Sequence, residues 1–420
     1  MSGLVDAAGR RRVVVTGMGG MCALGGDWPT LRDALRAGHT GVRVVPAFAE
    51  IEGLRTRLGA PVGSELDLSH HPRKKLRGMG RVARLAAVAS ERALAAAGLA
   101  GSPLVSDGTL GMAFGSTDGS PPPLVDYARA FGVERSAKGV SPVGYLQFMS
   151  HTCAANLAQL FEVRGMVLPT CSACTSGSQA IGAGLDAIRA GRHPLMLVGG
   201  AEELHEISVA VFDLLLATSV RNDAPESTPR PFDRERDGLV VGEGAGALVL
   251  EALEHARRRG ATIFAEVLGY GTNCDGAHLT VPEASGMRRA MELALEDARL
   301  PASAVGYVNA HATATEVGDL AESEATHAVF GARVPVSSQK GHLGHTLGAC
   351  GALEAWITIE ALREGWLPPT RNLETPDPRC APLDHVLGDG RSAQVETAVS
   401  NNFAFGGINT SLVLRPWREG

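Results

Sequence analysis

The chain has 420 residues, 45% of them hydrophobic, and a formal net charge of −6. That length and composition support one large or two medium domains with a substantial core and exclude a disordered chain. A negative balance lacks the basic face that phosphate binding needs, so no nucleic-acid partner is expected.

The seven cysteines are odd in number and irregularly spaced, which reads as free thiols in a reducing cytoplasm and not as a disulfide framework. Arg10 to Val15 starts like a signal peptide, but Gly17, Gly19 and Gly20 break the apolar run. No stretch approaches the ~18 apolar residues of a membrane span, so no membrane association is expected. Glycine, at 52 residues, is well above its usual ~7% share, which predicts many turns with positive φ or close backbone approaches.

In chain order, Val13 to Met18 reads as a buried strand, Trp28 to Ala37 as a helix, Gly80 to Ala97 as a long Ala-rich helix and Leu110 to Ser116 as a strand. An apolar stretch up to Pro169 predicts a strand and the Ala/Gly-rich stretch to Arg189 a helix, followed by a strand over Pro194 to Gly199. Pro229 to Asp237 is the clearest loop. Gly242 to Leu253 reads as a strand and Glu251 to Gly260 as a charged helix that makes a seam between two halves. The alternation then resumes: strand Phe264 to Gly269, helix Gly286 to Ala298, strand Val305 to Ala310, helix Asp319 to Phe330, buried helix Thr346 to Leu362, and strands near Thr397 and Leu412. This alternation predicts an α/β architecture of two halves, 1–255 and 256–420, with similar element order and no residue-level repeat.

Three segments carry chemistry. Cys174, in Pro169-Thr-Cys-Ser-Ala-Cys-Thr-Ser-Gly177, sits between a predicted strand and helix, where the helix N-terminus favours a nucleophilic thiolate. His311 ends the strand Val308-Asn-Ala-His311, and Lys340-Gly-His-Leu-Gly-His345 is expected to open a helix with a second histidine. The rival reading of His342 and His345 as a metal pair lacks a nearby third ligand. Cys171 reads as structural and His342 as a surface or supporting residue. Thr16 to Gly20 lacks the third glycine of a dinucleotide fingerprint.

Ala173-Cys174-Thr-Ser-Gly177, Asn309-Ala-His311, Lys340 with Gly344-His345, and Asn402-Phe-Ala-Phe405-Gly-Gly407 together resemble the signature set of the type II β-ketoacyl-acyl-carrier-protein synthases. They occur in family order, and Arg12 to Gly17 and Arg230 to Gly246 are also similar, so the resemblance spans nearly the whole chain. It implies a thiolase-like fold with a five-layered αβαβα core and a decarboxylative Claisen condensation of an acyl thioester with malonyl carrier protein. It further implies Cys174 as nucleophile, His311 and His345 as donors to the malonyl carbonyl, and Lys340 ordering the site through Glu322. Thr313 and Thr315 would hold the pantetheine arm. Phe405, Gly406 and Gly407 would form the gate of the acyl pocket, with the Phe405 and Cys174 N–H groups as an oxyanion hole. No cofactor and no catalytic metal are called for, although the resemblance suggests a structural monovalent cation near Asn309 and Asn401.

The implied partners are acyl carrier protein with its malonyl and acyl cargo, and a second subunit in a homodimer or heterodimer. The basic run Arg73-Lys74-Lys75 with Arg77, Arg81 and Arg84 reads either as a carrier docking face or as an ordinary solvated face. Ala312, Glu316 and Ala404 depart from the family pattern and add side chains near the expected substrate path. Segments 73–84, 145–164 and 202–219 are similar to synthases of bacterial aryl-polyene clusters. Two alternatives stand beside this reading: a non-catalytic chain-length factor, which would lack Cys174, and a degradative thiolase, against which the two histidines with Lys340 argue.

Overall fold

The computed structural model describes residues 3–6, 8–63 and 66–418. Two runs of the chain adopt the same element order. The first gives β1 (Val13–Cys22), α1 (Arg81–Ala96), β2 (Leu110–Gly115), α2 (Thr152–Phe161), β3 (Val167–Thr170), α3 (Ser176–Arg189), β4 (Leu195–Glu202) and β5 (Gly244–Ala252). The second gives β6 (Ala265–Cys274), α4 (Ala284–Ala298), β7 (Tyr307–Asn309), α5 (Glu316–Phe330), β8 (Pro335–Ser337), α6 (Cys350–Glu364), the short β9 (Asp384–His385), β10 (Ala398–Ala404) and β11 (Ile408–Pro416).

All eleven strands form one mixed sheet in the order β9-β8-β7-β10-β11-β6-β1-β5-β4-β2-β3. In the first run β3, β2 and β4 are parallel, while β5 and β1 follow antiparallel. In the second run β8, β7 and β10 are parallel, and β11 and β6 follow antiparallel. Within the sheet the two parts meet where Val13 to Val15 of β1 pair with Ala265 to Val267 of β6. Helices α3 and α6 lie between them and touch strands of both, α1 and α2 cover the outside of the first part, and α4 covers the second. This is the expected αβαβα layering.

Close helix-to-strand packing is written in small residues. A Cβ on Gly17 of β1 would stand 2.1 Å from Ala93 O of α1, and a Cβ on Gly271 of β6 would stand 2.1 Å from Ala290 O of α4. Equivalent glycines thus admit equivalent Ala-rich helices in the two runs. Helix α6 is buried on every side from Cys350 to Leu362, which requires an apolar surface all round.

Some boundaries differ from the sequence reading. The strand expected from Glycine 242 onward keeps Glu251 and Ala252, so the charged helix is only Leu253–Arg258. Helices Pro121–Ala128 and Pro142–Phe148 were not legible, because each begins with the prolines that sequence reading treats as breakers and that in fact suit the first helical turn. Among the described residues, no helix is long and apolar enough to cross a membrane.

Candidate active site

After β3 the chain turns through a single 3-10 turn, Ala173–Thr175, before α3 starts at Ser176. Ala173 is left-handed at φ 46°, a strained conformation for a residue with a Cβ. Neighbouring hydroxyls hold the turn: Ser176 Oγ donates to Ala173 O at 2.7 Å, Thr175 Oγ1 to Ser172 O at 2.7 Å, and Thr170 Oγ1 to Ser176 O at 2.9 Å. Cys174 is thereby fixed with its side chain buried among Phe212, Leu239, Val241 and Leu347.

That burial changes the expected chemistry. Desolvation pushes the Cys174 thiol up to about 12, only partly opposed by the charge of Lys340. The helix proper begins two residues later, at Ser176, and burial outweighs its terminus, so the resting thiol is neutral. A base is needed, and one is present: His345 Nε2 lies 3.0 Å from Cys174 Sγ.

His345 does not open a helix as expected. The one-turn helix Lys340–Leu343 ends at Gly344, whose φ of 69° suits glycine. His345 is then gripped in extended conformation, its N–H donating to Val240 O at 2.7 Å and its carbonyl accepting from Gly242 N at 2.9 Å. His311 follows β7, and the backbone N–H groups of His311 and Ala312 donate to the two oxygens of Glu322 at 2.8 and 2.6 Å. The two imidazoles meet edge to face with centroids 5.0 Å apart. Donor atoms of Cys174, His311 and His345 all lie within 4.8 Å of one another. Burial first, and then the Lys340 charge, hold both histidines well below their ordinary range, so both rings are neutral at pH 7. Neither Nδ1 has a hydrogen-bond partner among the described residues, leaving each ring free to carry its proton on either nitrogen.

Lys340 corrects the sequence reading. Its Nζ pairs with Glu354 Oε1 of α6 at 2.6 Å, with side chains only 1% and 3% exposed, and not with Glu322. Glu354 Oε2 also accepts from Asn402 Nδ2 at 2.7 Å. Glu322 is instead the backbone clamp of the His311 turn, its carboxyl pushed up to about 8 by burial. Carboxylates at Glu354 and Glu360 inside a helix that is buried all round were the available signal, since a buried charge needs a partner.

The pocket in front of Cys174 encloses about 280 Å³ and is lined by His311, His345, Thr313, Thr315, Phe405 and Gly407, among mostly apolar neighbours. Thr313 and Thr315 hydroxyls are 3.0 Å apart. Phe405 stacks on Phe212 with centroids 5.3 Å apart, a contact with no sequence signature. Gly406 does not line the pocket. Its N–H donates to Leu279 O at 2.7 Å, and it and Gly407 both hold positive φ, of 88° and 71°. Of the departures from the family pattern, Ala312 and Ala404 face the pocket, whereas Glu316 turns away to pair with Arg379 at 2.5 Å.

Other expected residues fall differently. His342 is fully buried, with Nδ1 against His39 O at 2.8 Å. Cys171 is exposed, just beyond β3. Among the described residues Asn309 leaves its buried Oδ1 without a donor, as a cation ligand would, while Asn401 Oδ1 accepts one hydrogen bond from Ser411 Oγ at 2.8 Å and keeps a second lone pair. Within the basic run, Arg81 is committed to the buried Glu243 at 2.5 Å, and Lys75 to Leu160 O and Glu162 at 2.9 and 2.7 Å. Arg73, Lys74, Arg77 and Arg84 remain around a shallow groove. Sequence reading also missed Glu202, whose Oε2 accepts from both Thr117 N (2.9 Å) and Gly348 N (3.0 Å) and so ties the end of β2 to the turn after His345.

Known proteins share this fold. Residues 10–256 match the family "Beta-ketoacyl synthase, N-terminal domain" and residues 264–374 match "Beta-ketoacyl synthase, C-terminal domain". The chain belongs to the β-ketoacyl synthase family. It is 35% identical over 408 residues to the 3-oxoacyl-[acyl-carrier-protein] synthase 1 of Haemophilus influenzae, covering 96% of this chain and 99% of that protein. The crystal structure of a β-ketoacyl synthase from Burkholderia phymatum STM815 superposes with a TM-score of 0.95 at 55% identity, covering 97% of this chain and all of the other. A type II polyketide ketosynthase bound to its acyl carrier protein superposes with a TM-score of 0.87 at 29% identity, covering 97% and 100%.

Proposed function

We propose that this β-ketoacyl-acyl-carrier-protein synthase elongates an acyl chain held on Cys174 by decarboxylative condensation with malonyl carrier protein. The observation that carries this is the convergence of Cys174 Sγ, His345 Nε2 and the His311 ring in one apolar pocket. In the first half-reaction Sγ attacks the acyl thioester carbonyl, and its proton passes through His345 Nε2 to the departing pantetheine thiolate. In the second, the bond to the malonyl carboxylate breaks and carbon dioxide leaves. Its electron pair forms an enolate whose oxygen accepts from N–H groups of His311 and His345. The enolate carbon then attacks the acyl carbonyl, the Cys174 sulfur leaves, and a solvent proton restores the thiol. His345 accepts at Nε2 in one half and donates there in the other, which its unpartnered Nδ1 permits. The N–H groups of Cys174 and Phe405 serve the tetrahedral oxyanion, Thr313 and Thr315 hold the pantetheine arm, and Lys340 with Glu354 keeps a compensated charge behind the histidines.

The acyl chain is of the aryl-polyene type, a reading supported by the similarity of segments 73–84, 145–164 and 202–219 and by the aromatic pair Phe212 and Phe405 at the pocket. The protein acts in the cytoplasm, with its halves dividing near 255, and pairs through β3, whose Val167 and Leu168 are exposed on the last strand of the sheet. The partner is a second copy or a synthase-like subunit. Incubation with acyl carrier protein should add one acyl mass to the peptide containing Cys174, and malonyl carrier protein should then yield a ketoacyl product two carbons longer. Acylation that survives Cys174→Ala would overturn the assignment, and exchange with coenzyme A esters in place of malonyl consumption would favour a thiolase.

A further inference from the structure

Far from the catalytic pocket, two adjacent histidines aim at one carboxylate. His70 Nε2 and His71 Nε2 lie 2.8 and 2.5 Å from the same oxygen, Glu91 Oε1 of α1. Neighbouring side chains on an extended chain point apart, so this convergence has to be built. The segment before α1 builds it. Leu68 is buried as an anchor, Asp67 Oδ1 accepts from Ser69 N at 2.9 Å, and His71 N donates to Leu68 O at 3.0 Å, closing a tight turn with Ser69 and His70 at its corner. Pro72 then limits the backbone choices of His71. The two rings end 4.4 Å apart, and the His71 ring rests edge-on against Phe161 of α2.

We propose that His70, His71 and Glu91 form a binding site for a divalent transition ion of the zinc class, with a water completing four-coordination. The ligand atoms of all three lie within 4.8 Å of one another. Two imidazole nitrogens and one carboxylate oxygen are a donor set that zinc takes at ~2.0–2.2 Å per bond. Around such an ion, ligands stand roughly 3.3 Å apart, so the present 2.8 and 2.5 Å spacings must open by about 0.5 and 0.8 Å. The side chains can do so, being 57%, 17% and 25% exposed. Negative charge on Asp67, close enough to feel His70, adds to the attraction for a cation. The ion would fasten the segment that precedes the basic groove to α1.

The test is cobalt(II) and zinc chloride titration of the full-length protein, because thiols, including the Cys174 cluster, also attract these ions. Cobalt should show one equivalent with ligand-field bands and no near-ultraviolet thiolate charge-transfer band, unchanged in Cys174→Ala and displaced by zinc. His70→Asn and Glu91→Gln, each made singly, should weaken that equivalent by at least ~100-fold, the upper end of what losing even an outer-shell partner costs a metal site. His70 is exposed enough that its variant will fold, which equal unfolding midpoints in chelator would show. No binding, binding accompanied only by the thiolate band, or affinity unchanged in His70→Asn would each overturn the proposal.

Discussion

The resting Cys174 thiol should be neutral, and its reactivity should belong to His345. An unassisted thiol reacts through its thiolate, so below its pKa its alkylation slows ~10-fold per pH unit. With the Cys174 thiol pushed up to about 12, thiolate chemistry alone would leave about one molecule in 10⁴ reactive near pH 8, and the rate would climb tenfold per unit across the whole neutral range. Transfer of the proton to a neutral imidazole at 3.0 Å removes that dependence as long as His345 stays unprotonated. Burial holds it so, by keeping its pKa well below the ordinary histidine value. We therefore expect iodoacetamide alkylation of Cys174 to vary by less than ~3-fold between about pH 6.5 and 8.5, whereas exposed Cys171, whose thiol is raised by partial burial, follows the steep line in the same sample. His345→Ala should slow Cys174 at pH 7 by ~10²–10⁴, the span of general-base assistance, and return it to the steep line. Peptide-level mass spectrometry reads each cysteine separately. A tenfold-per-unit slope for Cys174 in the unaltered protein, or no change in His345→Ala, would refute the reasoning.

Three further outcomes are expected. Lys340→Met or Glu354→Gln alone should destabilise the protein by about 3–5 kcal/mol, since either leaves a buried charge unpaired, while the double variant recovers part of that loss; denaturant midpoints check this, and additive losses would mean the pair is not coupled. Alanine at His311 or at His345 should slow malonyl decarboxylation by at least ~100-fold, measured as carbon dioxide release from malonyl carrier protein in the absence of acyl substrate. Lys74→Glu with Arg77→Glu should raise KM for carrier-bound substrate and flatten its salt dependence while sparing a short pantetheine thioester; Lys75→Glu should do less, because its ammonium is already held by Glu162 and Leu160.

The layered architecture and the three reacting side chains were legible because each rests on local pattern. Strand and helix alternation marks the layers, and Cys174, His311 and His345 each stand at the end of a regular run. What was not legible depends on how the chain folds back on itself. Glu354 lies only 14 residues from Lys340, yet their pairing follows only from α6 passing behind the one-turn helix, and Glu322 stood as the alternative. The thiolate expectation failed for a related reason: a helix terminus can be read locally, but the apolar walls that desolvate Cys174 come from residues as far apart as Phe48 and Leu347. Glu316 looked like an intrusion on the substrate path until Arg379, from a distant loop, was seen to hold it outside.

Because a continuous sheet runs through both halves, with α3 and α6 wedged between them, this enzyme cannot admit substrate as a pair of jaws would. Opening at the β1 and β6 seam would break backbone pairing and expose the most deeply buried helices of the molecule. Traffic must pass through a small door in a rigid wall. The corner proposed for that is Phe405-Gly406-Gly407 beside Cys174, held by Gly406 N to Leu279 O and, next to it, by Asn409 Nδ2 to Asp275 Oδ1 at 2.6 Å. With only two such hydrogen bonds to break, a gate at that corner would open locally and leave the sheet and the buried helices in place.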